Sequence, residues 1–356
     1  MSVPTSDSSA TREWRVFRGD GVPRPDGAAE LPPAPPWRTF HGGPPLPPPF
    51  QEGRETDRRL GAFAHTAPLG EAALNVVNAA LCLRRPLLVT GPPGSGKSTL
   101  AYHIAHELQL GPVLYWPVSS RTTLQQGLYA YDAIGRVQDT AVLRESTRSA
   151  TAAAPAADPR HLAGPHSIGD YLVLGPLGTA LLPHTRPRVL LVDELDKSDM
   201  DLPNDLLSVF EEGAYVVPEL VRSREREVSV LTEDALGRAP ITEGRVQCRE
   251  FPVVVVTSNG EREFPPAFLR RCLRLELPIP GLDALATMVA AHFSTRVAEE
   301  ARDVIAAFHE RSVAHGSLAI DQLLNAVHLL TQGSPPPRDG RWDELMASVW
   351  RRLNDY

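Results

Sequence analysis

The chain predicts an α/β fold, a parallel sheet covered by helices on both faces in three αβα layers and followed by a small all-helical unit. Three observations lead there. Short apolar runs occur at Leu87 to Thr90, Val113 to Tyr115, Val189 to Val192 and Val253 to Val256 without polar alternation, the pattern of central strands buried on both faces. Helical spacing of Ala73, Leu74, Val76, Val77, Ala80 and Leu81 precedes the first run. Beyond Pro280 only helical spacing remains, in Leu282 to Phe293, Val297 to Phe308, Leu318 to Leu330 and Trp342 to Leu353.

Twelve of the first fifty residues are proline, so residues 1–58 are expected to be an extended or disordered tail without regular hydrogen bonding. Its Trp14, Phe17, Trp37 and Phe40 are more aromatic than a spacer requires and leave docking onto the body or a partner open. Residues 59–279 form the sheet domain, with insertions expected near 127–187 and 221–247. The first insertion contains the low-complexity SATAAAPAADP, read as a flexible surface segment. Residues 280–356 form the helical unit.

Composition narrows the function. The chain is 42% hydrophobic and 22% charged, as in globular proteins, and has no apolar run near the roughly 18 residues that suggest a membrane span. The start MSVPTSDSSATREW does not read as a secretory signal, so a cytoplasmic location is expected. Cys82, Cys248 and Cys272 form no C-x-x-C pair, which argues against a zinc site or a disulfide framework. A net charge of -7 gives no global attraction for nucleic acid and leaves only a local basic groove open.

Chemistry concentrates at three strand ends. Gly91-Pro92-Pro93-Gly94-Ser95-Gly96-Lys97-Ser98, followed by Thr99, satisfies G-x-x-x-x-G-K-[ST] between a strand and a helix. Small residues let backbone N–H groups close around phosphates, Lys97 reaches the β and γ phosphates, and Ser98 binds magnesium. The run Arg188 to Val192 delivers Asp193 and Glu194 to the end of a buried strand. There Asp193 is the outer-sphere partner of the magnesium ion and Glu194 orients and polarises the attacking water. A third strand ends in Thr257-Ser258-Asn259, where Asn259 holds that water from the other side.

The order of these motifs, with Phe268-Leu-Arg270-Arg271-Cys272 next and helices after it, resembles the AAA+ ATPases, closest to the MoxR-like group. The resemblance spans about Leu60 to Leu330, and is strongest from Asp193 to Gly213, which is like the bacterial MoxR-type ATPases encoded beside von Willebrand factor A domain proteins. It identifies the motifs as Walker A, Walker B and sensor 1, and the insertions as a helix insert and a hairpin. It implies ATP as substrate with Mg2+, a ring of copies of the chain, six by resemblance, and a partner protein, such as one with a von Willebrand factor A domain, that the ring remodels. It places Arg270 and Arg271 where a ring supplies an arginine finger to its neighbour, without choosing between them. The chain departs at Gly316 to Asp321, which lacks the sensor 2 arginine; Arg311 is the one nearby substitute.

Two other function classes stay open: a nucleic-acid-directed motor of the McrB type, which uses GTP, and a slow nucleotide-gated switch. The motifs read phosphates and magnesium, not the base; only Ala62 to Leu69 and the lid are placed to read it. Weaker signals are His103 and His106 at a metal-compatible helix spacing without a third ligand, and Arg222, Arg224 and Arg226 alternating with Glu225 and Glu227 as a two-faced strand. Lys197 beside the two acids reads as a subunit contact or a partner of Asp196 or Asp199.

Overall fold

The computed structural model describes residues 14–24, 27, 31–47, 49, 58–61, 69–150, 167–235, 237–315, 318–332 and 340–350. Strands β1 (Leu87–Thr90), β2 (Leu114–Pro117), β5 (Val189–Asp193), β10 (Val253–Ser258) and β11 (Leu273–Glu276) make one sheet in the order β11-β1-β10-β5-β2. Every neighbouring pair is parallel. Each strand splits its side chains between the two faces, as the two-residue period requires. Leu87, Val89, Val189, Leu191, Val255 and Leu275 join one core, whereas Leu88, Leu114, Trp116, Leu190, Val192, Val254 and Val256 join the other. Both faces are dry, so the strand sequences show no polar alternation.

Helices α1 (Glu71–Leu83) and α2 (Lys97–Glu107) cover the first face. Between β2 and β5 the chain forms α3 (Leu124–Leu128), β3 (Tyr129–Tyr131), α4 (Ala133–Ala150), β4 (Leu172–Leu174) and α5 (Pro176–Ala180). Helix α6 (Asp201–Glu212) follows the second acidic strand. It buries Leu202, Leu206, Val209 and Phe210, three or four residues apart, and stops at Gly213, whose left-handed φ of 57° lets its N–H return to the Val209 carbonyl. With α5 and the short α8 (Pro266–Arg271), it covers the second face.

Against that second core packs another sheet, in the order β3-β4-β7-β8-β9-β6, completed by β6 (Ala214–Val216), β7 (Glu227–Leu231), β8 (Arg238–Thr242) and β9 (Arg245–Gln247). One face of it is buried: Val228, Val230, Ala239, Ile241 and Val246 alternate with more exposed neighbours. The two expected insertions therefore meet in a single sheet, because the β4 and β7 strands pair. The first insertion is more regular than expected, and most of its low-complexity stretch, from Thr151 on, lies outside the described residues. The two-faced arginine strand is corrected. The Arg222 and Ser223 N–H groups close the end of α7 (Pro218–Val221) by bonding the Pro218 and Leu220 carbonyls, and β7 begins only at Glu227.

The last helices, α9 (Leu282–His292), α10 (Thr295–Glu300), α11 (Arg302–His315), α12 (Ile320–Thr331) and α13 (Gly340–Val349), share their own core around Leu285, Val289, Ile305, Phe308, Leu323 and Trp350. The single helix expected from Val297 to Phe308 is two, divided at Ala301.

The amino-terminal arm departs furthest from expectation. Where described, it is irregular, with a single 3-10 turn at Pro36–Arg38, yet it is docked rather than disordered. Phe17 is fully buried among α1 and α2 residues. The Asn78 amide holds the Phe17 backbone from both sides, accepting its N–H at 2.9 Å and donating to its carbonyl at 2.8 Å. The buried Glu107 carboxylate accepts the Arg18 and Gly19 N–H groups and pairs with Arg24; burial raises its pKa against those bonds. Further on, Arg38 donates to the carbonyls of Arg84 at 2.8 Å and Phe210 at 2.7 Å and lies 4.2 Å from the centre of the Phe251 ring. Backbone partners drawn from the body replace the pairing that proline denies the arm itself.

Phe17→Ala is expected to destabilise the domain by about 3 to 5 kcal/mol, the cost of emptying a buried aromatic site. Urea unfolding checks this; a change under about 1 kcal/mol would mean that the arm is not held there.

Candidate nucleotide site

Parallel pairing puts the carboxyl ends of β1, β10 and β5 side by side, with Thr90 opposite Ser258 and Val256 opposite Val192. Residues just past these ends must meet in one crevice, the usual ligand position in an open parallel sheet. The Gly91–Gly96 loop leaves β1 there and opens α2. Gly91 has a φ of 148°, and a Cβ on it would lie 2.4 Å from the Leu277 carbonyl oxygen. At Gly94, φ is 75° and a Cβ would lie 2.7 Å from the Leu318 oxygen of the helical unit. Neither position tolerates a side chain.

Lys97 is buried, and its ammonium donates to the Gly91 and Pro92 carbonyls at 2.8 Å each. Burial lowers its pKa, opposed by Asp193, Asp196 and Glu194. Ser98 Oγ donates to Asp193 Oδ1 at 2.6 Å. The Ser95 hydroxyl is buried without a hydrogen-bond partner among the described residues, an available donor beside the loop. Thr99 follows on the same helix.

Asp193 gathers three elements. Besides Ser98 it accepts Thr257 Oγ1 at 2.7 Å and the Tyr115 hydroxyl at 3.3 Å. Burial, then the Asp193 charge, raises the Tyr115 pKa and keeps that hydroxyl a donor. Thr257 in turn accepts the Glu194 N–H at 2.8 Å. Sequence reasoning assigned Thr257 no role, although register continued one step past Val256 and Val192 sets it beside Asp193.

Glu194 has φ 60° and ψ 47°, a left-handed backbone that costs a non-glycine residue roughly 1 to 2 kcal/mol. The Thr257 bond fixes that backbone, and two groups hold its side chain. Asn259 Nδ2 donates to Oε1 at 3.4 Å, at the long end for a hydrogen bond, and Lys197 Nζ donates to Oε2 at 2.7 Å. Asp196 is 2% exposed, and its Oδ2 accepts the N–H groups of Asn259 at 2.9 Å and Glu261 at 3.0 Å. It thereby fixes the loop after β10 against the loop after β5. Lys197 thus pairs with Glu194 rather than with Asp196 or Asp199, and that hydrogen bond raises its pKa.

The remaining candidates lie elsewhere. Arg271 is tied to Glu211 of α6, while Arg270 is exposed with no side-chain partner among the described residues. Arg311 is exposed on α11, and Gly316 and Ser317 lie outside the described residues, as do Ala62 to Pro68. Leu318 and Ile320 nevertheless reach the phosphate loop through their main chain, at Gly94. Burial first, and then His106, pushes His103 down to about 4. Among the described residues no three His, Cys, Asp or Glu side chains group to hold a metal.

Thr257→Val keeps the volume but leaves the Glu194 N–H without its partner and Asp193 Oδ1 with Ser98 alone. It is expected to cost about 1 to 3 kcal/mol, with Thr257→Ser recovering most of that. Equilibrium unfolding of the two variants tests it; equal stability of the valine variant and the wild type would remove Thr257 from this network.

Among solved structures, two substituted forms of RuvB from Thermotoga maritima are each 15% identical, covering 84% of this chain and 70% of theirs, with a TM-score of 0.36. NtrX from Brucella abortus, solved in complex with ADP, is 16% identical, covering 79% of this chain and 55% of its own, with a TM-score of 0.39. No curated protein matches the chain. Residues 86–272, more than half of the chain, match the AAA domain of the dynein-related subfamily. That span opens just before β1 and closes just before β11, so it contains the phosphate loop, both acids, Asn259 and both arginines, and the chain belongs to this AAA domain family.

Proposed function

We propose that the chain is a magnesium-dependent ATPase that assembles into a ring and remodels or activates a partner protein. The observation that supports this best is the meeting, at adjacent strand ends, of the Ser98–Asp193 pair with a Glu194 carboxylate held by Asn259. Both halves of a hydrolytic site are there: groups for phosphates and cation, and a base for water.

The residues fit the family's magnesium ion. Ser98 and Asp193 are hard oxygen donors 2.6 Å apart. The absence of a larger cluster among the described residues suits a cation that keeps several waters and is otherwise held by the nucleotide phosphates. Held by Ser98 and Asp193, a magnesium ion would supply neutralisation of the charge that develops on the nucleotide phosphates. The protein's own groups do the rest. The Gly91–Gly96 main chain and the amino end of α2 receive phosphate oxygens, and Lys97 exchanges its two loop carbonyls for them. Glu194 accepts the proton of the attacking water while Asn259 fixes that water's position. Arg270, exposed and unpaired among the described residues, suits a finger reaching the neighbouring subunit better than Arg271, which Glu211 occupies.

The ring, its six copies and a partner of the von Willebrand factor A type rest on the MoxR-like resemblance, which is strongest over the Asp193 to Gly213 stretch.

Glu194→Gln is expected to bind ATP like the wild type and to lose turnover by about 10²- to 10⁴-fold; Lys97→Ala is expected to lose binding. ATP and GTP hydrolysis, with particle mass followed with and without nucleotide, checks both points. Wild-type turnover by Glu194→Gln would overturn the mechanism, and a monomer under all conditions would overturn the ring.

Arg270→Ala is expected to lower turnover while leaving nucleotide binding unchanged, and mixing it with Lys97→Ala subunits should restore part of the activity. That recovery needs a site completed by its neighbour, with the intact finger of the Lys97→Ala subunit serving the intact nucleotide site of the other. No recovery, or no loss in Arg270→Ala alone, would remove Arg270 as the finger.

A further inference from the structure

The Lys197–Glu194 pair is an unexpected arrangement for a hydrolytic base. Its 2.7 Å bond joins residues three apart across the Leu195–Lys197 turn. With Asn259 on Oε1 and Lys197 on Oε2, both oxygens of the carboxylate are engaged. The two side chains line an open cleft of about 480 Å³ together with Ser119, Asp196, Glu261 and Arg262. No residue of the phosphate loop lines that cleft. The lysine therefore holds the carboxylate at the cleft, which Ser98 and Lys97, the residues that serve the phosphates, do not line.

The same lysine has a second place to go. Asp196 Oδ2 is used by two N–H groups, but its Oδ1 is buried with no hydrogen-bond partner among the described residues. Glu261 and Asp196 both attract the Lys197 ammonium, after Glu194. A buried acceptor without a donor is costly, so a donor that reaches it gains more than one added to an exposed carboxylate.

We propose that Lys197 is a restraining residue: paired with Glu194 it holds that carboxylate in the cleft, and turnover requires the ammonium to transfer to Asp196 and Glu261. The inference rests on Glu194 being the base. The Glu194–Lys197 pair is about half exposed, with side-chain exposures of 41% and 40%, which keeps the restraint weak enough to exchange. Arg262 stays outside the exchange, since it donates to the Ser198 carbonyl at 3.0 Å.

The test is steady-state ATP hydrolysis by the full chain, with ATP binding measured alongside. Lys197→Met is expected to raise kcat about three- to fivefold, the size of a half-exposed ion pair, with KM and ATP affinity within about twofold. Lys197→Arg should fall between it and the wild type. Glu261→Gln, which removes part of the second seat, should lower kcat. Opposite signs for Lys197→Met and Glu261→Gln are not what mere loosening of the loop would give. A Lys197→Met kcat at or below wild type, or a raised kcat in Glu261→Gln, overturns the proposal. Adding Glu194→Gln to Lys197→Met should abolish the gain. Failure of the restraint alone leaves Glu194→Gln inactive and Lys197→Met not accelerated, whereas failure of the underlying reading shows as hydrolysis by Glu194→Gln itself.

Discussion

The Asp193 carboxylate is the point at which the site is tied together. It accepts one hydroxyl from α2, one from β10 and one from β2, so three separately folded segments are fixed relative to one another by one side chain. Only a parallel sheet in this order delivers them, because β10 and β2 are the two neighbours of β5. A partly buried carboxylate needs such donors in place of the water it has lost. The donors in turn have their hydroxyl orientation set by the charge. The arrangement is therefore mutually enforcing, and the fold's packing, dry on both faces of the sheet, supplies the rigidity that keeps the donors in reach.

From that centre the geometry passes outward by short steps. Thr257 carries it from Asp193 to the Glu194 backbone, and Asp196 carries it from the turn after β5 to the loop after β10. The left-handed backbone of Glu194 persists because the surrounding structure over-determines it. The carboxylate's own direction is less constrained than its backbone. It answers to one long hydrogen bond and one half-exposed ion pair, and so it is the part of the site most open to change.

Much of this was legible in the sequence, for a definite reason. Strands such as Val253 to Val256 read as central because they show no polar alternation, and a strand that ends in Asp193-Glu194 delivers those groups to the carboxyl end of the sheet. The parts that were not legible are those in which tertiary contacts decide. Strands of three residues, such as Tyr129–Tyr131 and Arg245–Gln247, carry too little periodicity to be seen. They exist because the hydrophobic core beneath them, around Leu174, Val230 and Ile241, needs covering. Proline content accounts for the lack of regular pairing among the described residues of the arm, but it does not reveal that Asn78, Glu107 and the carbonyls of Arg84 and Phe210 hold it. Those partners lie 46 to 172 residues away along the chain, beyond any local pattern. Lys197 had two acidic neighbours to choose from, and the turn geometry, not proximity in sequence, brought it to Glu194.

The helical unit meets the phosphate loop without the arginine that the resemblance led one to expect. The contact is main chain against main chain: the Leu318 oxygen and the Ile320 N–H lie where a side chain on Gly94 would otherwise stand, at 2.7 and 3.0 Å from the Cβ position. Such a contact differs physically from a charged one. An arginine reaching across a gap tolerates a change in the gap's width, because its long side chain can follow. Two backbones in van der Waals contact cannot approach further, and they lose their attraction within about an ångström of separation. Any displacement of the loop toward the lid must therefore move α12 with it. Helix α12 shares its core with α9 and α11 through Leu323, Leu285 and Phe308, so the push is delivered to the helical unit as a body rather than to one side chain.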